Sequence, residues 1–117
     1  MRIEIKGRNV PVTAEHRAHV ERRLQKVDRQ VSELALLELE LYREQNPRVA
    51  DREVAEATLY LKGATLRARD SSPQMLHSLN LIADDLSRQV KRYRDKRRAR
   101  RQTRAATTQQ PAPATTS

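Results

Sequence analysis

A chain of 117 residues suits one domain rather than two, and this one carries a formal net charge of +9. It has no cysteine, which excludes disulfides, thiolate metal sites and a cysteine nucleophile, and no Phe or Trp, so any core must be aliphatic. The longest unbroken apolar run, Leu34-Ala35-Leu36-Leu37, is too short to span a bilayer, and the first six residues lack the apolar stretch of a signal peptide. The expectation is a cytoplasmic protein with no membrane partner.

Ile3 and Ile5 alternate with Arg2, Glu4 and Lys6, which predicts a short half-buried strand over 2–7. Gly7 and Pro11 punctuate its exit. Thr13 suits a helix cap and Glu15 the first turn of that helix. Val20, Leu24, Val27 and Val31 then recur at helical spacing, predicting one amphipathic helix over 14–31. From Leu34 to Arg43 the period falls to two, with Leu37, Leu39 and Leu41 inward and Glu38, Glu40 and Tyr42 outward. Gln45-Asn46-Pro47 ends that strand. Ala55, Ala57, Leu59 and Leu61 form the inward side of a third strand, Gly63 reverses the chain, and Leu66 and Ala68 form the inward side of a fourth. Ser72-Pro73 reads as a cap followed by a first-turn proline, opening a helix whose stripe is Leu79, Ile82, Leu86, Val90 and Tyr93. Arg97 falls back on that stripe where the helix leaves its core.

The order is β-α-β-β-β-α. Because the strands are apolar on one side, this is an α+β fold with a four-stranded mixed sheet and two helices packed on one face. The first crossover is long enough to make strands one and two parallel, followed by an antiparallel meander. The domain is expected over 1–98, followed over 99–117 by a basic stretch and then a disordered, low-complexity run of Thr, Ala, Gln and Pro.

The location of the charge matters more than its size. Residues 88–104 hold ten Lys or Arg against the single acid Asp95, whereas residues 1–87 balance 14 basic with 14 acidic residues. A block this concentrated is the footprint of a polyanion binder, and its arginine bias suits bidentate contact with phosphate. A second cluster, Arg22, Lys26 and Arg29, lies on the first helix away from its apolar stripe, with Glu21 and Asp28 as competing local partners.

Other constellations carry less. Tyr42 and Tyr60 belong on the open sheet face beside Arg67 and Arg69, where aromatics stack bases in some RNA readers; the signature and strand order of such readers are absent, so the tyrosines read as cover for polar-faced strands. His16 and His19, three apart, lack a third ligand for a metal. Asp84 and Asp85 point about 100° apart on a helix and read as surface carboxylates. Ser71 and Ser72 have no neighbouring base. No catalytic constellation, cofactor site or small-molecule substrate site is expected, so the chain is read as a binding module and not an enzyme.

Two segments carry a family resemblance. One is the opening Ile3-Glu4-Ile5-Lys6-Gly7-Arg8-Asn9-Val10-Pro11-Val12-Thr13. The other is Ala64-Thr65-Leu66-Arg67-Ala68-Arg69-Asp70, with Met75 and then Asp84-Asp85-Leu86-Ser87-Arg88-Gln89-Val90-Lys91-Arg92-Tyr93. Together they resemble the ribosome hibernation promoting factor family, which includes ribosome-associated inhibitors and sigma-54 modulation proteins. The resemblance spans about residues 1–98. It implies a cytoplasmic factor that binds the small ribosomal subunit and its rRNA between head and body, where mRNA and tRNA sit, and silences translation under stress. On the family's basic helices it implicates Arg22, Lys26, Arg88, Lys91, Arg92 and Lys96; helical geometry adds Arg23 and Arg29. The long members' second domain, which joins ribosomes, has no counterpart in these residues, and a monomer is expected away from the ribosome. Two other readings stand beside it: a general nucleic-acid-binding or transcription-linked, sigma-factor-modulating module that uses the same charge, and a protein-interaction adaptor, whose binding would survive high salt and loss of Arg97, Arg98, Arg100 and Arg101.

Overall fold

A computed structural model describes residues 1–109, with side chains through Thr103. The elements are β1 (Arg2–Arg8), α1 (Ala14–Arg23), α2 (Gln25–Gln30), β2 (Leu36–Arg43), β3 (Glu53–Leu61), β4 (Ala64–Ser72) and α3 (Met75–Gln109). They form one four-stranded sheet in the order β1-β2-β3-β4. β1 and β2 are parallel and the remaining pairs antiparallel, as the long first crossover and the short later turns require.

Register explains the layering. Ile3, Leu37, Leu59 and Leu66 share one cross-sheet row, and Ile5, Leu39, Ala57 and Ala68 the next. Both rows face the helices and join Val20, Leu24, Val27, Leu79, Ile82 and Leu86 in a single apolar cluster. α3 crosses β3 and β4, with α1 and α2 packed against its side. Each fully buried Leu or Ile contributes about 1.5–3 kcal/mol of transfer free energy, so the cluster is the main stabilising term. Among the described residues no helix is long and apolar enough to cross a membrane.

Three local features differ from expectation. The single helix predicted over 14–31 is divided at Leu24, whose φ of −101° and ψ of 6° turn the chain between α1 and α2. The turn keeps its hydrogen bonds, Leu24 N–H to the Val20 carbonyl at 3.0 Å and Asp28 N–H to the Leu24 carbonyl at 2.9 Å, and places Leu24 and Val27 in the core. Ser72-Pro73 does not open α3. Ser72 is the last residue of β4, paired with Glu53, and its hydroxyl donates to the Gln74 carbonyl (2.6 Å) and accepts from the Gln74 N–H (3.2 Å). The helix therefore starts at Met75. At its other end α3 runs on to Gln109, through the first residues of the low-complexity run expected to be disordered over 103–117; Arg, Ala and Gln are strong helix formers, and the first proline beyond them is Pro111. The rest of that expectation, residues 110–117, lies outside the described residues.

Thr13 caps α1 as read: its hydroxyl accepts from the His16 N–H (3.1 Å) while His16 Nδ1 accepts from the Thr13 N–H (3.3 Å). Gly7 is required where β1 turns away, because a Cβ there would collide with the Val10 carbonyl oxygen.

Candidate nucleic-acid interface

α3 measures roughly 50 Å over its 35 residues, and its apolar stripe ends at Val90 and Tyr93. Beyond that point it overhangs the body, which helps give the molecule extents of 72 × 30 × 17 Å. Arg97 closes the stripe: its Nη1 donates to the Tyr93 hydroxyl (2.8 Å) and its guanidinium lies 5.7 Å from the Tyr93 ring centroid. The Tyr93 hydroxyl in turn donates to the Lys62 carbonyl (2.7 Å), anchoring the start of the overhang to the end of β3.

All eight cations singled out in the sequence are exposed, and none has an ion pair among the described residues. Their placement is not uniform. Arg23, Lys26, Arg88 and Lys91 come together along the seam between α1, α2 and α3, lining two hollows of about 340 and 300 Å³ that share Lys26 and Ser87. The carboxylates in this seam are Asp84 and Asp95. Arg92 and Lys96 lie on the other flank of α3, in a hollow of about 500 Å³ beside the β3–β4 turn. Arg22 and Arg29 line none of these hollows, and the bend at Leu24 lies between them. Asp28, read as a local partner for these cations, binds the ammonium of Met1 instead (3.0 Å).

The sequence matches the model of the family described as sigma 54 modulation protein / S30EA ribosomal protein over residues 3–98. The chain belongs to this family. It is 31% identical over 97 residues to a ribosome hibernation promotion factor of Picosynechococcus sp. and 34% identical over 98 residues to one of Lactococcus lactis subsp. cremoris. These alignments take in 82% and 80% of this chain but 50% of each relative, so the chain spans about half their length. A ribosome hibernation promoting factor of Azotobacter vinelandii is 26% identical over 102 residues, with 87% of this chain and 91% of that protein covered. Among solved structures, the Thermus thermophilus Protein Y N-terminal domain superposes with a TM-score of 0.68 at 26% identity, covering 80% of this chain and 99% of that one. A ribosomal subunit interface protein from Coxiella burnetii shares the fold, with a TM-score of 0.69 at 19% identity and coverage of 81% and 99%.

Two features of this family member were not singled out from sequence. Arg94 and Arg98 join Lys26 and Lys91 in the seam; helical spacing puts them on one flank of α3, but only the packing of α2 beside that flank makes it part of the groove. The second is Asp70. It lies in the helix-facing row with Gly7, Leu41 and Ala55, beneath Asp85 of α3. Its Oδ2 is buried and has no hydrogen-bond partner among the described residues. Burial, then the neighbouring Asp85 carboxylate, push the Asp70 carboxyl above the usual range, opposed by the charge of Arg88. Asp84 is exposed, as read, whereas Asp85, also read as a surface carboxylate, is half-buried against Asp70. Asp85 is also held by the Gln89 amide (3.0 Å), which donates to the Arg67 carbonyl as well (2.7 Å).

The two histidines of α1 are occupied, His16 in the α1 cap and His19 through Nε2 to Asn80 Oδ1 (2.7 Å), tying α1 to α3. Tyr42 is likewise engaged on the sheet: the Arg8 guanidinium covers its ring at 4.2 Å, and its hydroxyl donates to Glu56 (2.7 Å) and accepts from Arg69 Nε (3.3 Å). That leaves it poorly placed to stack a base.

Proposed function

We propose that this chain is a ribosome hibernation factor: it binds the rRNA of the small ribosomal subunit in the mRNA and tRNA channel, in the cytoplasm, and silences translation under stress. The observation that carries the reading is the set of exposed cations on α1, α2 and α3, without ion pairs among the described residues, set on a body of the family fold. Arg22, Arg23, Lys26, Arg29, Arg88, Lys91, Arg92 and Lys96 neutralise phosphates, and the folded body occupies the space a tRNA needs. Affinity comes from shape and counterion release, with little base reading. Catalysis has no part in it. The names of the relatives support the ribosome as partner.

The test is co-sedimentation of the purified chain with separated ribosomal subunits, paired with translation in a cell extract. Binding to the small subunit and inhibition are expected at modest salt; failure of both refutes the proposal. A second reading, a general nucleic-acid-binding module, draws support from Arg100 and Arg101, which lie past the family match at residue 98. It requires comparable affinity for duplex DNA and for small subunits, and a competition titration decides between the two.

A further inference from the structure

We propose that the hollow beneath the overhang of α3 holds an unpaired RNA nucleotide, its base on Leu34 and Tyr60 and its phosphates on Arg94, Arg98 and Arg101. This deepens the rRNA-binding reading above and rests on it.

The hollow encloses about 870 Å³, in the range of small-ligand sites, between the loop after α2, the end of β3 and the underside of α3. Leu34 is 89% exposed and Tyr60 42%, and these are the two large apolar side chains left exposed among the described residues. A single exposed Leu is unremarkable. Here both line the same hollow, under a rim of cations, with no carboxylate among the described lining residues; Glu38 engages the Tyr60 hydroxyl from outside the hollow and leaves the ring free to form its floor. The roof is fixed in advance by the chain from Arg97 through the Tyr93 hydroxyl to the Lys62 carbonyl. Arg94, Arg98 and Arg101 make no ion pair among the described residues.

A perfect duplex presents phosphates to such a rim but keeps its bases stacked inside, so the apolar floor stays wet. An unpaired nucleotide satisfies both parts: its base covers leucine and tyrosine, and its backbone meets the arginines. Position supports RNA over an acidic peptide. Arg94 and Arg98 line this hollow and the α2–α3 seam alike, so a strand lying along the seam runs directly into it.

The experiment is fluorescence anisotropy on the full chain at fixed modest salt, with two labelled RNAs: a perfect stem, and the same stem with one bulged nucleotide. The wild type should bind the bulged stem at least about fivefold tighter, since stacking of one base is worth that much or more. In the Leu34→Gln, Tyr60→Thr double variant the preference should vanish while affinity for the perfect stem is retained. Leu34→Gln alone, at a site too exposed to affect folding, should reduce it. Lys26→Ala with Lys91→Ala should weaken both RNAs alike. No preference in the wild type, or a preference that survives the double variant, overturns the proposal. So does a leucine-bearing acidic peptide that binds the wild type but not the double variant while the two RNAs bind equally. Co-sedimentation of the wild type run in parallel separates the two readings: sedimentation with no bulge preference defeats only this inference, and no sedimentation with either subunit defeats the ribosomal one.

Discussion

The flanks of α3 supply the most discriminating prediction. Arg23, Lys26 and Lys91 lie in the seam, whereas Arg92, Lys96 and Arg100 lie on the opposite flank. Each phosphate contact contributes about 0.7–0.9 to the slope of log affinity against log salt, so replacing one triplet by Ala should lower the slope by about 2–3. At 0.1 M salt this corresponds to a loss on the order of a hundredfold in affinity. Stability should move by no more than about 0.5 kcal/mol, because all six side chains are exposed and alanine favours helix. A channel has walls on both sides of the helix. On small subunits, therefore, both triplets should lower the slope, and the two effects should add. On an open DNA duplex, which meets one side at a time, only one triplet should matter. Filter binding or sedimentation across a salt series measures this, with circular dichroism melts as the folding control. An unchanged slope for the seam triplet, or one silent flank on the ribosome, refutes docking between two RNA walls.

Three further outcomes test the fold. Gly7→Ala should cost about 1–3 kcal/mol in a urea titration, because the new Cβ meets the Val10 carbonyl and lies 3.1 Å from Val12 Cγ2. Ser78→Ala should cost about 1–3 kcal/mol by the same assay: the fully buried Ser78 hydroxyl donates to the Glu53 carbonyl at 2.6 Å and contacts the Ser72 hydroxyl at 2.9 Å, so its loss takes a partner from the Glu53 carbonyl while Ser72 keeps its bonds to Gln74. Asp70→Asn should stabilise the protein at neutral pH. With its folded pKa raised above the unfolded value, Asp70 favours the native state while protonated, and that advantage is lost as pH rises through the folded pKa. The variant's gain should thus shrink toward acid pH, and a gain independent of pH would contradict the assigned cause.

The strands were legible because each buries one side against the helices: Leu37, Leu39 and Leu41 alternate with carboxylates, and Ala55, Ala57 and Leu59 with polar residues. Thr13 and the stripe from Leu79 to Val90 were legible for the same reason, as local patterns with local causes. The break at Leu24 was not, because neither glycine nor proline marks it and the residue turns only to reach a core built by other elements. Ser72-Pro73 misled because a serine hydroxyl before proline signals a cap, whereas pairing with Glu53 keeps that serine in the sheet. Asp70 and Asp85 are 15 positions apart and meet only across the β4–α3 packing, which no spacing rule foresees. The seam itself needed the fold: spacing sorts cations onto flanks of one helix, and only tertiary packing says which flank faces another helix.

The two faces of the molecule use similar charges differently. Four of the five ion pairs among the described residues belong to the sheet strands, Arg2 with Glu4, Arg8 with Glu40, Arg43 with Glu53 and Arg69 with Glu56. In the row Lys6, Glu40, Glu56, Arg69, the two carboxylates lie side by side with a cation on each outer strand. On that face positive charge is neutralised at short range, and exposed pairs of this kind add little stability. On the helices cations outnumber acids, Asp28 is taken by the Met1 ammonium, and the excess is left to face solvent. A polyanion would therefore be drawn to the helical side, where cations outweigh Asp84, Asp95 and the other acids, while the sheet side offers a nearly neutral back. Orientation on a partner follows from the fold: the same register that buries leucine toward α3 sends the balancing glutamates to the far face, and so leaves the arginines of α3 uncompensated.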